Sequence, residues 1–330
     1  MRIVLYNPRS NSAGKRIMPF SLLAIGAVLE GEFEYEIVDG NAEPDADAAL
    51  ASRRASGAVV FGMTVMPGPQ LEDAFQRTRA LKAADPKAVV IWGGYFPTEH
   101  AEACLSGGWV DFAIRGHGEF ATVNLLRELA AGRDPRVAGT IEGVGYRSAD
   151  GIAVIGPVSR VPNVEELPEF PFHRIEMATY PRPTFMGGRT LGYHSSYGCP
   201  FLCNFCAVVN MVNGRWLPQS AARVAATAEQ LHRTWGVDAL ELYDNNFFTH
   251  EARTAVSWEA FTSNAVSHTG GTCRSRSAYM LDGSMSPTSI FTPRLKISAI
   301  CDKPCFSTYS SNTIWIASAM TASRTCRSDI

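Results

Sequence analysis

The stretch Ala58-Val59-Val60-Phe61-Gly62-Met63, a helical segment from about Gln70 to Ala84, and then Ala88-Val89-Val90-Ile91-Trp92-Gly93-Gly94 read as strand, helix, strand. The two apolar runs are short, β-branched and almost continuous, as strands covered on both faces are, while the charged segment between them has the length of a surface helix. Such a unit joins parallel strands by a right-handed crossover. The alternation continues upstream, with strands at Ile3-Val4-Leu5-Tyr6-Asn7-Pro8 and Tyr35-Glu36-Ile37-Val38-Asp39 and helices from Pro19 to Gly31 and Ala46 to Arg54. Downstream come a short helix near Glu99 to Leu105, a strand at Asp111-Phe112-Ala113-Ile114-Arg115, and a helix from Phe120 to Ala131. Five such strands predict an α/β fold with a doubly wound parallel sheet, whose ligands sit at the carboxyl ends of the strands.

Beyond that block the pattern changes. Val144-Gly145-Tyr146-Arg147 and Ile152-Ala153-Val154-Ile155 predict a hairpin turning at Ala149-Asp150-Gly151, and Pro157, Pro162, Pro168, Pro171, Pro181 and Pro183 mark an extended connection. Alternation resumes with a strand at Leu191-Gly192-Tyr193-His194-Ser195, a cysteine-bearing loop, a helix from Ala221 to Trp235 and a strand at Ala239-Leu240-Glu241-Leu242-Tyr243. After about His250 the chain turns rich in Ser and Thr, and Leu occurs only at Leu281 and Leu295. This loss of periodicity is read as an irregular tail or as translation in a shifted reading frame. The expected division is 1-135, 136-188 for the hairpin and connection, 189-250, and an atypical tail at 251-330.

The 330 residues carry a formal net charge of -2, which supplies no footprint for nucleic acid. No stretch approaches the roughly 20 apolar residues of a membrane span, so a cytoplasmic protein acting on a small molecule is expected. In that compartment eight cysteines point to metal ligands or reduced thiols rather than disulfides. Cys199, Cys203 and Cys206, in Gly198-Cys199-Pro200-Phe201-Leu202-Cys203-Asn204-Phe205-Cys206, form C-x3-C-x2-C on a loop after a strand. Three thiolates so spaced can hold a cubane cluster and leave one iron open. A structural zinc site is the competing reading, yet it wants four ligands and usually two C-x2-C pairs, and only Cys203 and Cys206 have that spacing.

The triad resembles the signature of the radical S-adenosylmethionine superfamily. Val90 to Thr98 and Val110 to Glu119 look like the Rossmann-like cobalamin-binding domain found in front of many such enzymes. Arg215-Trp216, Trp235 to Asp238 and Tyr243-Asp244-Asn245-Asn246-Phe247-Phe248 also follow that pattern. Over about residues 1-250 the chain is similar to enzymes of the anaerobic magnesium-protoporphyrin monomethyl ester cyclase and radical methylase type. The resemblance implies a cobalamin-binding sheet followed by the start of a radical S-adenosylmethionine (β/α) partial barrel. It implies a [4Fe-4S] cluster on Cys199, Cys203 and Cys206, whose open iron chelates S-adenosylmethionine and generates a 5'-deoxyadenosyl radical, with an electron donor such as flavodoxin or ferredoxin. Phe205 matches the aromatic between the last two cysteines. Asp244 and Asn245 stand where relatives often show two acidic residues near the S-adenosylmethionine amino end.

For cobalamin, the implied corrin-holding positions are Asn7, Thr64, Gly93, Gly94, Gly116, Gly118 and Glu119, in the loops Asn7-Pro8, Thr64 to Pro69, Gly93 to Thr98 and Gly116 to Glu119. None of the seven histidines has Asp two residues before it, so no protein histidine is expected on cobalt. The chemistry implied is methyl transfer or cyclisation. A degenerate scaffold that binds no cobalamin is the alternative for the sheet, and a non-catalytic corrinoid- or metal-binding protein with a truncated barrel is the alternative for the whole. Gly116 to Ala121 also fits G-x-G-x-x-A, but it follows the fifth strand and lacks the acidic partner of a dinucleotide site. His194 is expected to be a hydrogen-bonded structural residue, and Asp39 and Asn41 to lie in a solvated turn.

Overall fold

In the computed structural model the described residues are 1–10, 16–137, 141–212, 214–250, 252–253 and 314–317. Five strands, β1 (Arg2–Asn7), β2 (Glu34–Asp39), β3 (Ala58–Thr64), β4 (Val89–Gly93) and β5 (Phe112–Ile114), pair in parallel in the order β2-β1-β3-β4-β5. This is a doubly wound order with its switch point between β1 and β3. Helices α1 (Phe20–Leu29), α2 (Ala46–Ala55) and α3 (Pro69–Ala84) cross between the parallel strands, and α6 (Glu119–Ala130) follows β5. The helix expected near Glu99 to Leu105 is instead two, α4 (Tyr95–Glu99) and α5 (Ala101–Ser106), broken at the non-helical His100. The helices cover both faces, which is why Val4, Leu5, Tyr6, Phe61 and Val90 along the strands are all buried.

The expected hairpin forms as β6 (Val144–Arg147) and β7 (Ala153–Ile155), and it joins the first sheet antiparallel to β5. A second sheet holds β8 (Thr190–Tyr193) parallel to β11 (Ala239–Leu242), with β12 (Ile314–Ala317) antiparallel on β11's other side. The strand expected to run to Ser195 therefore ends at Tyr193. The edge of β11 that sequence reasoning left bare is paired, though not by the parallel neighbour that a (β/α) barrel supplies. Apart from 252–253 and 314–317, the expectation about the tail lies outside the described residues. Helix α8 (Ala221–Trp235) crosses between β8 and β11, capped by the Ser220 hydroxyl at its start and by left-handed Gly236 at its end.

The two sheets share side chains. Met18, Phe20 and Leu23, at the start of α1, pack in one apolar core with Phe172, Tyr180, Tyr193, Val224 and Leu240. Burying side chains such as Phe20 and Leu23 contributes roughly 1.5–3 kcal/mol each. Asp39 is not in a solvated turn: it is buried, and its carboxylate accepts hydrogen bonds from Asn7 Nδ2 (2.8 Å) and from Tyr180 Oη in the proline-rich connection (2.8 Å). Among the described residues no helix is long and apolar enough to cross a membrane.

Candidate functional site

Parallel strands put all their carboxyl ends on one edge, so the loops after β1, β3, β4 and β5 lie together. The structure brings Asn7, Thr64, Gly93, Gly94, Gly116, Gly118 and Glu119 to this edge, in differing states. Asn7 is buried and committed: its amide donates to Asp39, and its Oδ1 accepts from Gln70 Nε2 (3.0 Å). Gln70 in turn accepts from the Met66 backbone N–H (3.0 Å), which fixes the loop after β3. Thr64 Oγ1 accepts from Ser21 Oγ (2.9 Å). Gly94 has φ +98°, and a Cβ there would meet Val65 O at 3.1 Å and Thr64 Oγ1 at 3.2 Å, so only glycine lets these loops lie side by side. Thr98 ties the β4 and β5 loops, donating to Gly94 O (2.7 Å) and accepting from Gly116 N–H (2.9 Å).

The open part of this edge is Met66, Pro67 and Gly68, which are exposed, with Gly93, Gly94, Tyr95 and Phe96 half-buried. Gly116 and Glu119, by contrast, are buried under the second half of the chain. Gly116 bridges to Ser159, and the His117 ring meets the Tyr197 ring edge-on at 6.1 Å. Glu119 Oε2 lies 3.6 Å from His117 Nδ1 and has no hydrogen-bond partner.

The cysteine loop hangs from a two-stranded antiparallel ribbon, β9 (Ser196–Gly198) on β10 (Trp216–Pro218), and contains a short helix, α7 (Val208–Val212). Gly198 immediately precedes Cys199 with φ +76°, and a Cβ there would strike Arg215 O and Val212. The loop thus enters through a conformation that only glycine accepts without strain. Cys199, Cys203 and Cys206 are free, partly exposed thiols, with a turn from Cys206 N–H to Cys203 O (3.0 Å). Their sulfurs are not drawn together: among the described residues no three His, Cys, Asp or Glu side chains stand as a metal-holding group. The donor set nevertheless suits an iron–sulfur cluster, being three reduced thiols on a loop that no other sulfur locks. Phe205 is 92% exposed and Leu202 70% exposed, so the loop presents apolar side chains to solvent beside its thiols.

Asp244 and Asn245, adjacent in sequence, do different things. The Asp244 carboxylate is buried and accepts from Ser195 N–H (2.7 Å), Ser195 Oγ (2.6 Å) and Ser196 Oγ (2.6 Å). It braces the backbone that leads to the cysteines. Arg253 adds to the brace, donating to Ser195 O (2.7 Å) and Gln219 O (2.8 Å). Asn245 is exposed and its side chain lies beside the Tyr95 phenol, whose pKa is raised by burial and by the nearby Cys206 sulfur. His194 is held by rings rather than by hydrogen bonds: Phe20 edge-on at 5.0 Å, Tyr197 stacked at 6.1 Å and Tyr243 at 5.9 Å. Desolvation lowers its pKa, and Asp244 opposes that only in part. The residues that sequence reasoning passed over are Tyr95, Glu99 and Asn210. Nothing in their local pattern announces that Asn210 Nδ2 donates to Glu99 Oε2 (2.8 Å), a contact across 111 positions. These contacts turn the cysteine loop toward the carboxyl edge of the first sheet.

The B12 binding domain family model matches residues 8–126, from just after β1 into α6. Its similarity to known proteins extends beyond that domain. An anaerobic magnesium-protoporphyrin IX monomethyl ester cyclase of Synechocystis sp. is 26% identical over 281 residues, 82% of this chain and 54% of the cyclase. An uncharacterized methyltransferase of Pyrococcus horikoshii is also 26% identical, over 77% of this chain and 55% of its own length. Among solved structures, the radical S-adenosylmethionine methyltransferase TsrM of Kitasatospora setae superposes with a TM-score of 0.62 at 18% identity, covering 81% of this chain and 52% of TsrM. The cobalamin-dependent radical enzyme OxsB gives 0.64 at 16% identity, covering 79% and 37%. At these identities the structural likeness establishes the fold. The chain spans about half the length of the curated relatives it matches.

Proposed function

We propose that this chain is the cofactor-bearing part of a cobalamin-dependent radical S-adenosylmethionine enzyme acting on a small molecule by methyl transfer or cyclisation. The observation that supports the reading is that the loop bearing three free thiols, Cys199, Cys203 and Cys206, is tied through Asn210 to Glu99 of α4, next to the carboxyl edge of a sheet that matches B12 binding domains. Residues 1-135 would hold cobalamin against Met66 to Gly68 and Gly93 to Phe96, with no protein histidine on cobalt. Residues 189-250 would hold the cluster. When bound, a [4Fe-4S] cluster supplies one-electron cleavage of S-adenosylmethionine, and cobalamin supplies a methyl carrier.

The chain's own residues do the positioning. Asp244 and Arg253 hold Ser195 and Ser196, Gly198 sets the loop's entry, and Asn245 stands with its uncharged amide toward the shared space. Phe205, exposed between two ligands, offers a ring face for the adenosine. A flavodoxin or ferredoxin is the expected class of electron donor.

Anaerobic reconstitution tests this reading. The full chain should take up about four irons with matching acid-labile sulfide, and Cys203→Ala should lose them. Cys104→Ala should not, because Cys104 is buried in the first core with its thiol pushed up to about 12 by desolvation. One zinc per chain without sulfide would overturn the cluster. The antiparallel β12 favours a second reading, a corrinoid- or metal-binding chain without turnover. Release of 5'-deoxyadenosine from S-adenosylmethionine under reducing conditions separates the two.

A further inference from the structure

The short helix α4 begins at the loop after β4, and its last residue touches the cysteine loop. At its last residue, Glu99 Oε2 accepts the hydrogen bond from Asn210 Nδ2 at 2.8 Å; at its first, the Tyr95 phenol hydrogen-bonds with Asn245 and feels the charge of the Cys206 sulfur. The spacing is matched: positions 95 and 99 are one helical turn apart, and so are 206 and 210 at the entry to α7. One side of α4 therefore lies near the α7 entry, joined there by the Asn210–Glu99 hydrogen bond.

The base of α4 cannot shift independently of the sheet edge. Phe96 N–H donates to Val65 O (3.0 Å), fastening the helix to the loop after β3, and the Thr98 hydroxyl donates to Gly94 O while accepting from Gly116 N–H. Whatever orders the loops after β3 and β4 orders α4, and whatever orders Cys206 to Asn210 presses on the same helix.

We propose that Tyr95, Glu99 and Asn210 are positioning residues that link the two cofactor sites, so that a cluster on the cysteine loop tightens cobalamin binding at the sheet edge and cobalamin tightens cluster retention. The inference rests on the function proposed above and adds to it a thermodynamic coupling, which by linkage must be equal in both directions. Such couplings commonly amount to about 5–150-fold in affinity, and with Glu99 and Asn210 both exposed the low end applies, about fivefold. Ordering a loop that is otherwise free is sufficient to produce it, because the second cofactor then meets a site whose conformational entropy is already lost.

The experiment is an anaerobic absorbance titration of the full chain with hydroxocobalamin, before and after cluster reconstitution. The expected result is about fivefold tighter binding to the cluster-loaded protein, with Asn210→Ala and Tyr95→Phe each shrinking the difference while leaving iron content at four. Glu99→Gln, which keeps a hydrogen-bonding carbonyl for Asn210, should retain most of it. As the reciprocal reading, chelator-driven loss of iron should slow on adding cobalamin in the native chain and not in Asn210→Ala. Equal affinity for the two forms of the native chain overturns the coupling while leaving the function intact. Undiminished coupling in both variants overturns the assignment to these residues. Failure of hydroxocobalamin to bind either form overturns the proposed function and this inference with it.

Discussion

The first sheet and the second use buried polar groups in opposite ways. At the carboxyl edge of the first, the burden is shared: Asn7, Asp39, Gln70 and Tyr180 satisfy one another, so that no single side chain holds the edge. In the second, one carboxylate, that of Asp244, receives a backbone N–H and two hydroxyls at the point where the chain leaves for the cysteines. A shared network suits a rigid platform, whereas a single brace leaves the cysteine loop able to rearrange around a cluster. The free sulfurs that stand apart from one another agree with that difference.

Asp244→Ala should break the contrast most severely. It leaves three buried donors short of their acceptor, at a cost of about 3 kcal/mol. Thermal melting should shift down, and reconstituted iron should fall well below four. Tyr180→Phe tests the shared network instead. It takes one donor from buried Asp39, whose Oδ1 still accepts from Asn7 and from the Asn41 backbone, so about 2 kcal/mol or less is expected by denaturant titration, with iron content unchanged. A drop in iron equal to that of Asp244→Ala would erase the distinction between the two regions.

The pH dependence sharpens it further. Burial disfavours the His194 imidazolium, so its folded pKa lies below the ordinary value of about 6.5 and the unfolded chain takes up the proton first. Stability should fall as pH drops through about 6.5. Hydrogen exchange at β8 and β9 should therefore rise between pH 7.5 and 5.5 relative to β1 and β3, and His194→Phe should flatten the change. The smallest effect belongs to the exposed pair between the halves. Arg174 grips Glu30 with two hydrogen bonds (2.7 and 2.9 Å) and holds its carboxyl down to about 2. That stabilisation is present above about 4.5 and is lost as pH falls toward 2. Because the pair is screened by solvent, Arg174→Ala should cost under about 1 kcal/mol at pH 7 and nothing at pH 2, read by urea titration at each pH.

The parallel strands were legible because their signal is local: Val60-Phe61 and Val90-Ile91 announce burial within a few residues. What was hidden depends on partners far away in the chain. Asp39 looks like a turn residue until Tyr180, 141 positions on, reaches it, and nothing local to Asp244 announces that Ser195 and Ser196 donate to its oxygens. Glu119 likewise carries no sign that Tyr197 covers its loop. His194 was expected to find a hydrogen bond and found three aromatic rings, contributed by α1, β9 and the end of β11, a convergence that no window of sequence contains.

The apolar core that α1 shares with β8 and β11 has a consequence during synthesis. Phe20 and Leu23 leave the ribosome early, but their partners Tyr193 and Leu240 follow roughly 170 to 220 residues later, on the order of 10–40 s at about 5–20 residues per second. Throughout that interval the first sheet can pair its strands while one side of α1 stays greasy and open to water. Docking of the cysteine-bearing half is the event that covers it.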